Sequence, residues 1–196
     1  MRNTLPLALL TALVLALGAC SKGDTPPADA PVAAAPAPLT ASSYDTVAAG
    51  ARGFTVGAMM SAQPVYVLFD PQCPHCGHLW NASLPLHGKV KFVWVPIAFN
   101  AGKSSAQAAA LLSAADPVAA MTAHEKSLLA GTGGMSASTD ISPEVQQAIK
   151  ANTALMSTLG LDAVPFILGK HRQTGQIVSN SGALETAALA QLLGVQ

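Results

Sequence analysis

The chain has 196 residues, in which ten lysine and arginine side chains are balanced by ten aspartate and glutamate side chains. Domains that bind nucleic acid usually carry a marked excess of basic residues, so this balance argues against a nucleic-acid partner. The three cysteines are too few for the disulfide framework that stabilises many small secreted proteins. Composition therefore argues against a nucleic-acid-binding protein and against a small secreted protein built on several disulfides.

The first 19 residues have the pattern of a signal peptide. Arg2 precedes an apolar stretch that is shorter than the ~20 residues of a membrane-spanning helix, so the rest of the chain is predicted to be exported. The small residues before Cys20 resemble the lipobox of bacterial lipoproteins, in which that cysteine is diacylated and anchors the protein to a membrane. Ser21 at the following position favours the outer membrane. An ordinary secretory cleavage that leaves a free Cys20 is the alternative.

Residues 20–41 consist almost entirely of alanine, proline and small polar residues. Such a segment buries too little apolar surface to become ordered, and it is predicted to be a flexible tether. The remaining residues, 42–196, are enough for one domain with its own core.

Within this domain, predicted strands and helices follow one another. Apolar and β-branched runs predict strands at 53–57, 65–69, 90–97, 166–168 and 176–178, the last two as a hairpin. Capping residues and apolar spacing predict helices at about 74–84, after Ser104 or Ser105, after Asp116 with Val118, Met121 and Leu128 on one face, at 142–160 and at 184–193. This order predicts an α/β, thioredoxin-like fold with a helical insertion, about 102–160, between its βαβ and ββα halves.

Cys73 and Cys76 lie at the junction of the strand at 65–69 and the helix that follows it. A cysteine at a helix N-terminus is stabilised as a thiolate by free backbone N–H groups and the helix dipole, which lowers its pKa below ~8.5. Cys76 lies one turn further on, close enough to form a disulfide with Cys73 or to resolve a mixed disulfide. The pair therefore predicts thiol–disulfide exchange. Pro74 would restrict the turn and a protonated His75 would favour the thiolate, although a solvated His75 without this effect is the alternative.

The segment Phe69-Asp-Pro-Gln-Cys-Pro-His-Cys-Gly77 resembles the active site of bacterial Dsb proteins. It combines the Cys-Pro-His-Cys tetrad of DsbA with the Phe-Asp-Pro lead-in of the DsbC and DsbG disulfide isomerases. The stretches Ile141-Ser-Pro-Glu, Ala151-Asn-Thr-Ala-Leu-Met156 and Leu159-Gly160 are similar to DsbG in particular. The resemblance covers nearly all of the predicted domain.

This resemblance implies a periplasmic thiol:disulfide interchange protein. Its substrates would be exported proteins with cysteines or disulfides, and a membrane redox partner would recycle the dithiol without an organic cofactor or a metal. In the family a cis-proline opposes the active-site disulfide, and Ala163-Val-Pro-Phe166 matches that segment. Val164 and Pro165 are then expected to position the substrate chain, with an ordinary strand start as the alternative. The tetrad itself leaves a DsbA-like disulfide oxidase open.

The chain departs from the family pattern at one residue and in one domain. DsbA and thioredoxin carry a buried acid six residues before the first cysteine, where this chain has Val67. Proton transfer to and from Cys76 must therefore use another group or water. The dimerisation domain of DsbC and DsbG has no counterpart before residue 42, so the V-shaped dimer of that group is not expected.

Two further functions remain open. Cys73, His75, Cys76 and His78 could bind zinc or copper in a metal-binding lipoprotein, although structural zinc usually takes four ligands from two separated pairs. A chaperone with a vestigial redox site is the other possibility.

The remaining aromatic, acidic and histidine side chains considered are expected to have mainly structural roles. Trp80 and Trp94 are expected to pack in the core or at its rim, with a place for Trp80 on the substrate surface as the alternative. Asp70 would either shape the turn before Cys73 or tune that cysteine. The isolated histidines are expected to be solvated, namely His87, His124 and His171.

Overall fold

A computed structural model of the chain describes residues 38–100 and 102–196. The predicted signal peptide, Cys20 and most of the predicted tether lie outside these residues. Among the described residues, no helix combines the length and the apolar character needed to cross a bilayer.

Five strands form one mixed sheet in the order β1-β3-β2-β4-β5. The strands are β1 Phe54–Gly57, β2 Val65–Phe69, β3 Lys91–Pro96, β4 Phe166–Lys170 and β5 Ile177–Ser181. Strands β2 and β3 are parallel, whereas the other neighbouring pairs are antiparallel. All five residues of β2 are buried, because this central strand is covered on both faces.

The helices of the described residues are α1 Ala41–Gly50, α2 Pro74–Ser83, α3 Ser104–Leu112, α4 Pro117–Leu129, α5 Pro143–Thr158 and α6 Thr186–Leu193. Helices α3, α4 and α5 lie between β3 and β4 in the chain, as the predicted helical insertion requires. A single 3-10 turn, Leu84–Leu86, follows α2. The predicted order of strands and helices after residue 53 is therefore confirmed.

Local sequence explains where most of these helices begin. Proline occupies the first turn of α2, α4 and α5, where its missing N–H costs nothing. Asp116 caps α4 by accepting a hydrogen bond from the Ala119 N–H, and Ser142 caps α5 in the same way. The predicted cap at Ser104 or Ser105 is wrong. Lys103 holds the cap position of α3, and the Ser104 hydroxyl donates to Asp70 instead.

Two apolar clusters cover the two faces of the sheet. The first joins one face to α2, α4 and α6, and includes Phe69, Leu79, Trp94, Met121 and Leu189. The second joins the other face to α1 and α5, and includes Tyr44, Leu68, Val95, Leu155 and Met156. Each large side chain buried in this way contributes about 1.5–3 kcal/mol to stability. The sheet is thus fixed between two helical layers, and the end of β2 that leads into α2 is held rigidly.

Helix α1 was not predicted from the sequence, and one helix face was predicted incorrectly. In α1, the buried side chains are Tyr44 and Val47, and the Tyr44 hydroxyl donates to the carbonyl oxygen of Pro64. In α4, Val118 is 40% exposed, while the buried residues include His124 and Glu125. The buried face of α4 is therefore partly polar.

Candidate active site

Cys73 and Cys76 lie where the carboxyl end of β2 leads into α2. Cys73 is the N-cap residue of α2 and Cys76 is in its first turn, with its N–H donating to the carbonyl oxygen of Cys73 at 2.9 Å. Both side chains are free thiols. Cys73 is 8% exposed and Cys76 is completely buried, so a substrate disulfide reaches Cys73 first.

The surroundings of Cys73 favour its thiolate. A hydrogen bond from the Cys76 thiol is the largest of several effects that lower the pKa of Cys73 to about 6. Burial opposes the shift, while the backbone N–H groups of Cys76 and His75 assist it. The charge of His75 contributes the smallest part, consistent with its exposed side chain.

Cys76 has the opposite character. Burial is the main cause that raises the pKa of Cys76 well above its ordinary value, and the hydrogen bond to Cys73 and the charges of Cys73 and Glu125 add to it. Cys76 therefore remains a protonated thiol at neutral pH while Cys73 is ionised. The two sulfurs are prepared for different steps of a disulfide exchange.

Alkylation should reveal this asymmetry. With Cys76 protonated and buried, iodoacetamide is expected to modify Cys73 alone, at a rate that is half-maximal near pH 6, falls below that pH and is level above it. Because the folded pKa of Cys73 is depressed, ionisation of this thiol contributes stability to the reduced protein that is fully present above the ~8.5 of unfolded cysteine and is lost as the pH falls from there through about 6. Mass spectrometry of the modified protein over a pH series measures the midpoint. A midpoint near the ~8.5 of free cysteine would contradict this description.

The segment Val164-Pro165 faces the cysteine pair from the start of β4. The peptide bond between these two residues is cis. The Cys73 thiol points at the Val164 carbonyl oxygen, with 3.6 Å between sulfur and oxygen. Pro165 is buried and Val164 is half-buried. The structure thus brings together Cys73, Cys76 and the predicted substrate-positioning residues.

Asp70 holds the turn that precedes Cys73. Its side chain is completely buried, and its two oxygens accept four hydrogen bonds of 2.7–2.8 Å, from the N–H groups of Gln72, Phe99 and Asn100 and from the Ser104 hydroxyl. Hydrogen bonds to a buried carboxylate are stronger than neutral ones. Asp70 therefore ties the active-site turn to the loop after β3 and to the start of α3, in agreement with the predicted turn-shaping role.

The helical insertion supplies a second set of contacts to the same turn. Gln107 of α3 accepts a hydrogen bond from the Gln72 amide at 2.5 Å. His124 of α4 is completely buried. Its Nδ1 accepts from the Met135 N–H, so the proton lies on Nε2, which donates to the Pro71 carbonyl oxygen at 2.7 Å.

These contacts correct several expectations from the sequence. The prediction that His124 is solvated is wrong, because the residue belongs to the support of the active-site turn. His87 and His171 are half-buried rather than fully solvated, and the ring of His87 packs on Trp80 with centroids 5.6 Å apart. Trp80 itself is completely buried, so it does not line the substrate surface.

The proposed metal ligands are not gathered into one cluster. His75 and His78 are exposed, with ring centroids 6.3 Å apart. Within residues 38–100 and 102–196, no three histidine, cysteine, aspartate or glutamate side chains are placed to hold a metal ion together.

The sequence is similar to known thiol:disulfide interchange proteins. DsbG of Pseudomonas aeruginosa is 31% identical over 132 residues, which cover 66% of this chain and 50% of the relative. DsbG of Escherichia coli is 31% identical over 105 residues, which cover 53% of this chain and 42% of that protein. The matched region thus spans half or less of each of these relatives. No protein-family model matches the chain.

Comparison with solved structures identifies the fold. The catalytic domain of ScsC from Proteus mirabilis aligns with a TM-score of 0.60 at 18% sequence identity, over 78% of this chain and 93% of that domain. The predicted fold class is confirmed: the chain has a thioredoxin-like α/β fold, with the Cys73–Cys76 pair at the start of its α2 helix.

Proposed function

We propose that this chain is a periplasmic thiol:disulfide interchange enzyme that rearranges or reduces disulfides in exported proteins. The observation that carries the proposal is the asymmetry of the cysteine pair. The pKa of Cys73, at the start of α2, is lowered to about 6, whereas Cys76 is buried and keeps its proton. The Cys73 sulfur is thereby the nucleophile, and the Cys76 sulfur remains protonated until the resolving step. The similarity to DsbG from two bacteria supports interchange as the reaction.

The reaction begins when the Cys73 thiolate attacks one sulfur of a substrate disulfide. A Cys73–substrate S–S bond forms, the substrate S–S bond breaks, and the leaving thiolate takes a proton from solvent. In isomerisation, a substrate thiolate then attacks the mixed disulfide and releases Cys73. In reduction, Cys76 attacks the Cys73 sulfur, so that two electrons pass from the dithiol to the substrate and a Cys73–Cys76 disulfide remains.

Val164 and Pro165 position the substrate in this proposal. The Val164 carbonyl oxygen lies 3.6 Å from the Cys73 sulfur, so a substrate segment joined to Cys73 runs beside the Val164 backbone. Pro74 and His75, which follow Cys73 in the chain, are both exposed. His75 makes a small contribution to the thiolate, and Pro74 begins α2. The redox-active pair itself carries the electrons, so the proposed reaction uses no organic cofactor or metal, and a membrane reductant returns the disulfide to the dithiol.

Recovery of a scrambled enzyme tests the proposed function. Reduced protein is incubated with ribonuclease A whose disulfides have been randomly formed, and nuclease activity is followed with time. We expect activity to return faster than in buffer, and the same protein alkylated at Cys73 to give no acceleration. Equal rates with the active and the alkylated protein would contradict the proposal. Rapid oxidation of reduced ribonuclease without any rearrangement of the scrambled form would favour the DsbA-like oxidase instead.

We also propose that Cys20 carries a lipid anchor and that residues 20–41 connect it to the domain, with the outer membrane as the favoured location. The small residues before Cys20 support this proposal, and two or more acyl chains give the stable anchoring that one chain does not. Cys20→Ser in the full-length precursor is expected to move the protein from the membrane fraction to the soluble periplasmic fraction. Retention of the variant in the membrane fraction would contradict lipid anchoring at this residue.

A further inference from the structure

Glu125 on α4 is a buried carboxyl group without a hydrogen-bond partner. Its side chain is completely buried, and within the described part of the chain neither of its oxygens has a donor. Burying a polar group without a hydrogen bond is costly, and more so if the group is charged, so such groups are rare in native structures. The other buried acid, Asp70, accepts four hydrogen bonds. Glu125 therefore requires an explanation that packing alone does not give.

The position of Glu125 suggests that explanation. The carboxyl group packs against the first turn of α2, and its Oε2 lies 2.6 Å from where a Cβ atom on Gly77 would be. Gly77 directly follows Cys76, and its lack of a side chain leaves room for the carboxyl group. Leu129, one turn further along α4, closes the same space, with its Cγ at 3.2 Å from that point. Glu125 is thus enclosed beside the buried cysteine.

Cys76 needs a nearby proton acceptor. Its thiol is completely buried, so it has no direct exchange with solvent, yet it must lose its proton before it can attack the Cys73 sulfur. Val67 on β2, at the position where DsbA and thioredoxin carry a buried acid, is also buried and has no titratable group. His124 uses both ring nitrogens in hydrogen bonds. The Asp70 oxygens are also occupied. Among the described residues whose charge acts on Cys76, Glu125 therefore has carboxyl oxygens that remain free.

We propose that Glu125 accepts the proton of the Cys76 thiol during the resolving step and returns it when the disulfide is reduced again. This inference rests on the proposed thiol–disulfide exchange and adds a residue to it. In the forward direction, the Cys76 proton passes to the Glu125 carboxylate as the Cys73–Cys76 bond forms. The Cys73–substrate S–S bond breaks, and the substrate leaves as a thiolate that is protonated by solvent. In the reverse direction, Glu125 gives the proton back to the Cys76 sulfur and, once the Cys73 thiolate has formed again, takes up another proton from solvent.

The electrostatics of the pair support this cycle. Burial, together with the charge of Cys73, raises the pKa of Glu125 to about 8. While Cys73 is a thiolate, Glu125 therefore holds its proton at neutral pH. Once Cys73 is bound in a mixed disulfide its charge is absent, so the smaller of these two causes is removed and the Glu125 pKa falls. As the pKa falls, the carboxyl group loses its proton to solvent and the carboxylate becomes available. The Glu125 carboxylate thus becomes available as a proton acceptor at the step in which Cys76 must be deprotonated.

Single-turnover kinetics of Glu125→Gln test this inference. The reduced protein is mixed with glutathione disulfide, quenched with acid, and analysed by mass spectrometry for the protein–glutathione mixed disulfide and for the intramolecular disulfide. Formation of the mixed disulfide is expected to stay within about twofold of wild type at pH 7, because the pKa of Cys73 already lies below that pH. Its resolution is expected to slow roughly 100-fold, the lower end of what a positioned acid–base group contributes.

The pH profile separates proton transfer from a structural role. In wild type, resolution should become level once Glu125 is ionised, whereas in Glu125→Gln it should continue to rise with hydroxide concentration. The exposed Glu144 on α5 provides the control, because Glu144→Gln makes the same chemical change away from the cysteines and should match wild type. Glu125→Asp retains a carboxyl group and should recover part of the resolving rate.

The possible outcomes distinguish the inference from the function on which it rests. Resolution of Glu125→Gln at the wild-type rate and pH profile would overturn the role of Glu125 alone. Equal slowing of both steps, with a loss of stability and no recovery in Glu125→Asp, would overturn it in favour of a structural role. If wild type forms no mixed disulfide with glutathione, the proposed function fails and the role of Glu125 fails with it.

Discussion

Cys73→Ser is expected to abolish disulfide exchange. A serine hydroxyl is not ionised near neutral pH, so the variant has no nucleophile at the start of α2, and the buried Cys76 does not meet the substrate. Recovery of scrambled ribonuclease A should fall to the rate in buffer alone. The fold should be retained, because serine is close to cysteine in size and its hydroxyl can replace the Cys73 sulfur in the hydrogen bonds with the Cys76 thiol and the Val164 carbonyl oxygen.

Cys76→Ser is the matched control for this loss. It keeps the Cys73 nucleophile and removes the resolving sulfur, so it should attack substrates and accumulate Cys73-linked mixed disulfides that are visible on a non-reducing gel. Its Cys73 should also lose part of its pKa depression, because the hydrogen bond from the Cys76 thiol is the largest cause of that shift. Full turnover by Cys73→Ser would refute the assignment of the nucleophile.

Asp70→Ala is expected to have the largest effect on stability. The substitution leaves four donors around a completely buried site without their acceptor, three of them backbone N–H groups. We expect the free energy of unfolding of the reduced protein to fall by about 3 kcal/mol or more, since each buried donor left unpaired costs ~1–3 kcal/mol. Urea denaturation followed by circular dichroism measures the loss.

The exposed Asp140 provides the comparison for Asp70. Asp140→Ala removes the same side chain from the surface and should change stability by less than about 0.5 kcal/mol. Asp70→Asn retains one acceptor oxygen and is expected to lie between wild type and Asp70→Ala. If Asp70→Ala is as stable as Asp140→Ala, the loop after β3 and the start of α3 do not depend on this carboxylate.

The redox pair could be predicted from the sequence because its determinants are local. The apolar run of β2, the turn at Asp70 and the proline at position 74 predict a strand-to-helix junction, and Cys73 and Cys76 lie within a few residues of it. Such a pattern of adjacent residues predicts the same strand-to-helix junction in any fold that buries the strand. The succession of strands and helices along the chain, including the helical insertion, followed from the same patterns.

The support of the active site could not be predicted because its contacts are distant in sequence. Asp70 is bonded to Phe99, Asn100 and Ser104, which are 29–34 residues away, and His124 is 53 residues from its partner Pro71. Each of these side chains, taken alone, looks like an ordinary surface or capping residue.

Glu125 and helix α1 were missed for two different physical reasons. Helical patterns place charged residues towards solvent, so a carboxyl group on the buried face of α4 contradicts the rule by which that face was predicted. This buried carboxyl group lies beside the cysteine pair, and functional sites are where proteins most often break local sequence rules at a cost in stability. Helix α1 continues the alanine-rich composition of the predicted tether, and it is held by the tertiary contacts of Tyr44 and Val47 rather than by a pattern of its own.

The reduction potential of the Cys73–Cys76 couple, measured by equilibration with reduced and oxidised glutathione, shows whether the pair is a redox couple that stabilises the Cys73 thiolate. Stabilisation of the Cys73 thiolate favours the reduced form, so we expect a reversible couple well above the ~-270 mV of thioredoxin, towards the ~-120 mV of a strong oxidant. A potential at or below ~-270 mV, that of a reductant such as thioredoxin, would contradict the stabilised Cys73 thiolate, and the absence of a reversible couple would contradict disulfide exchange by this pair.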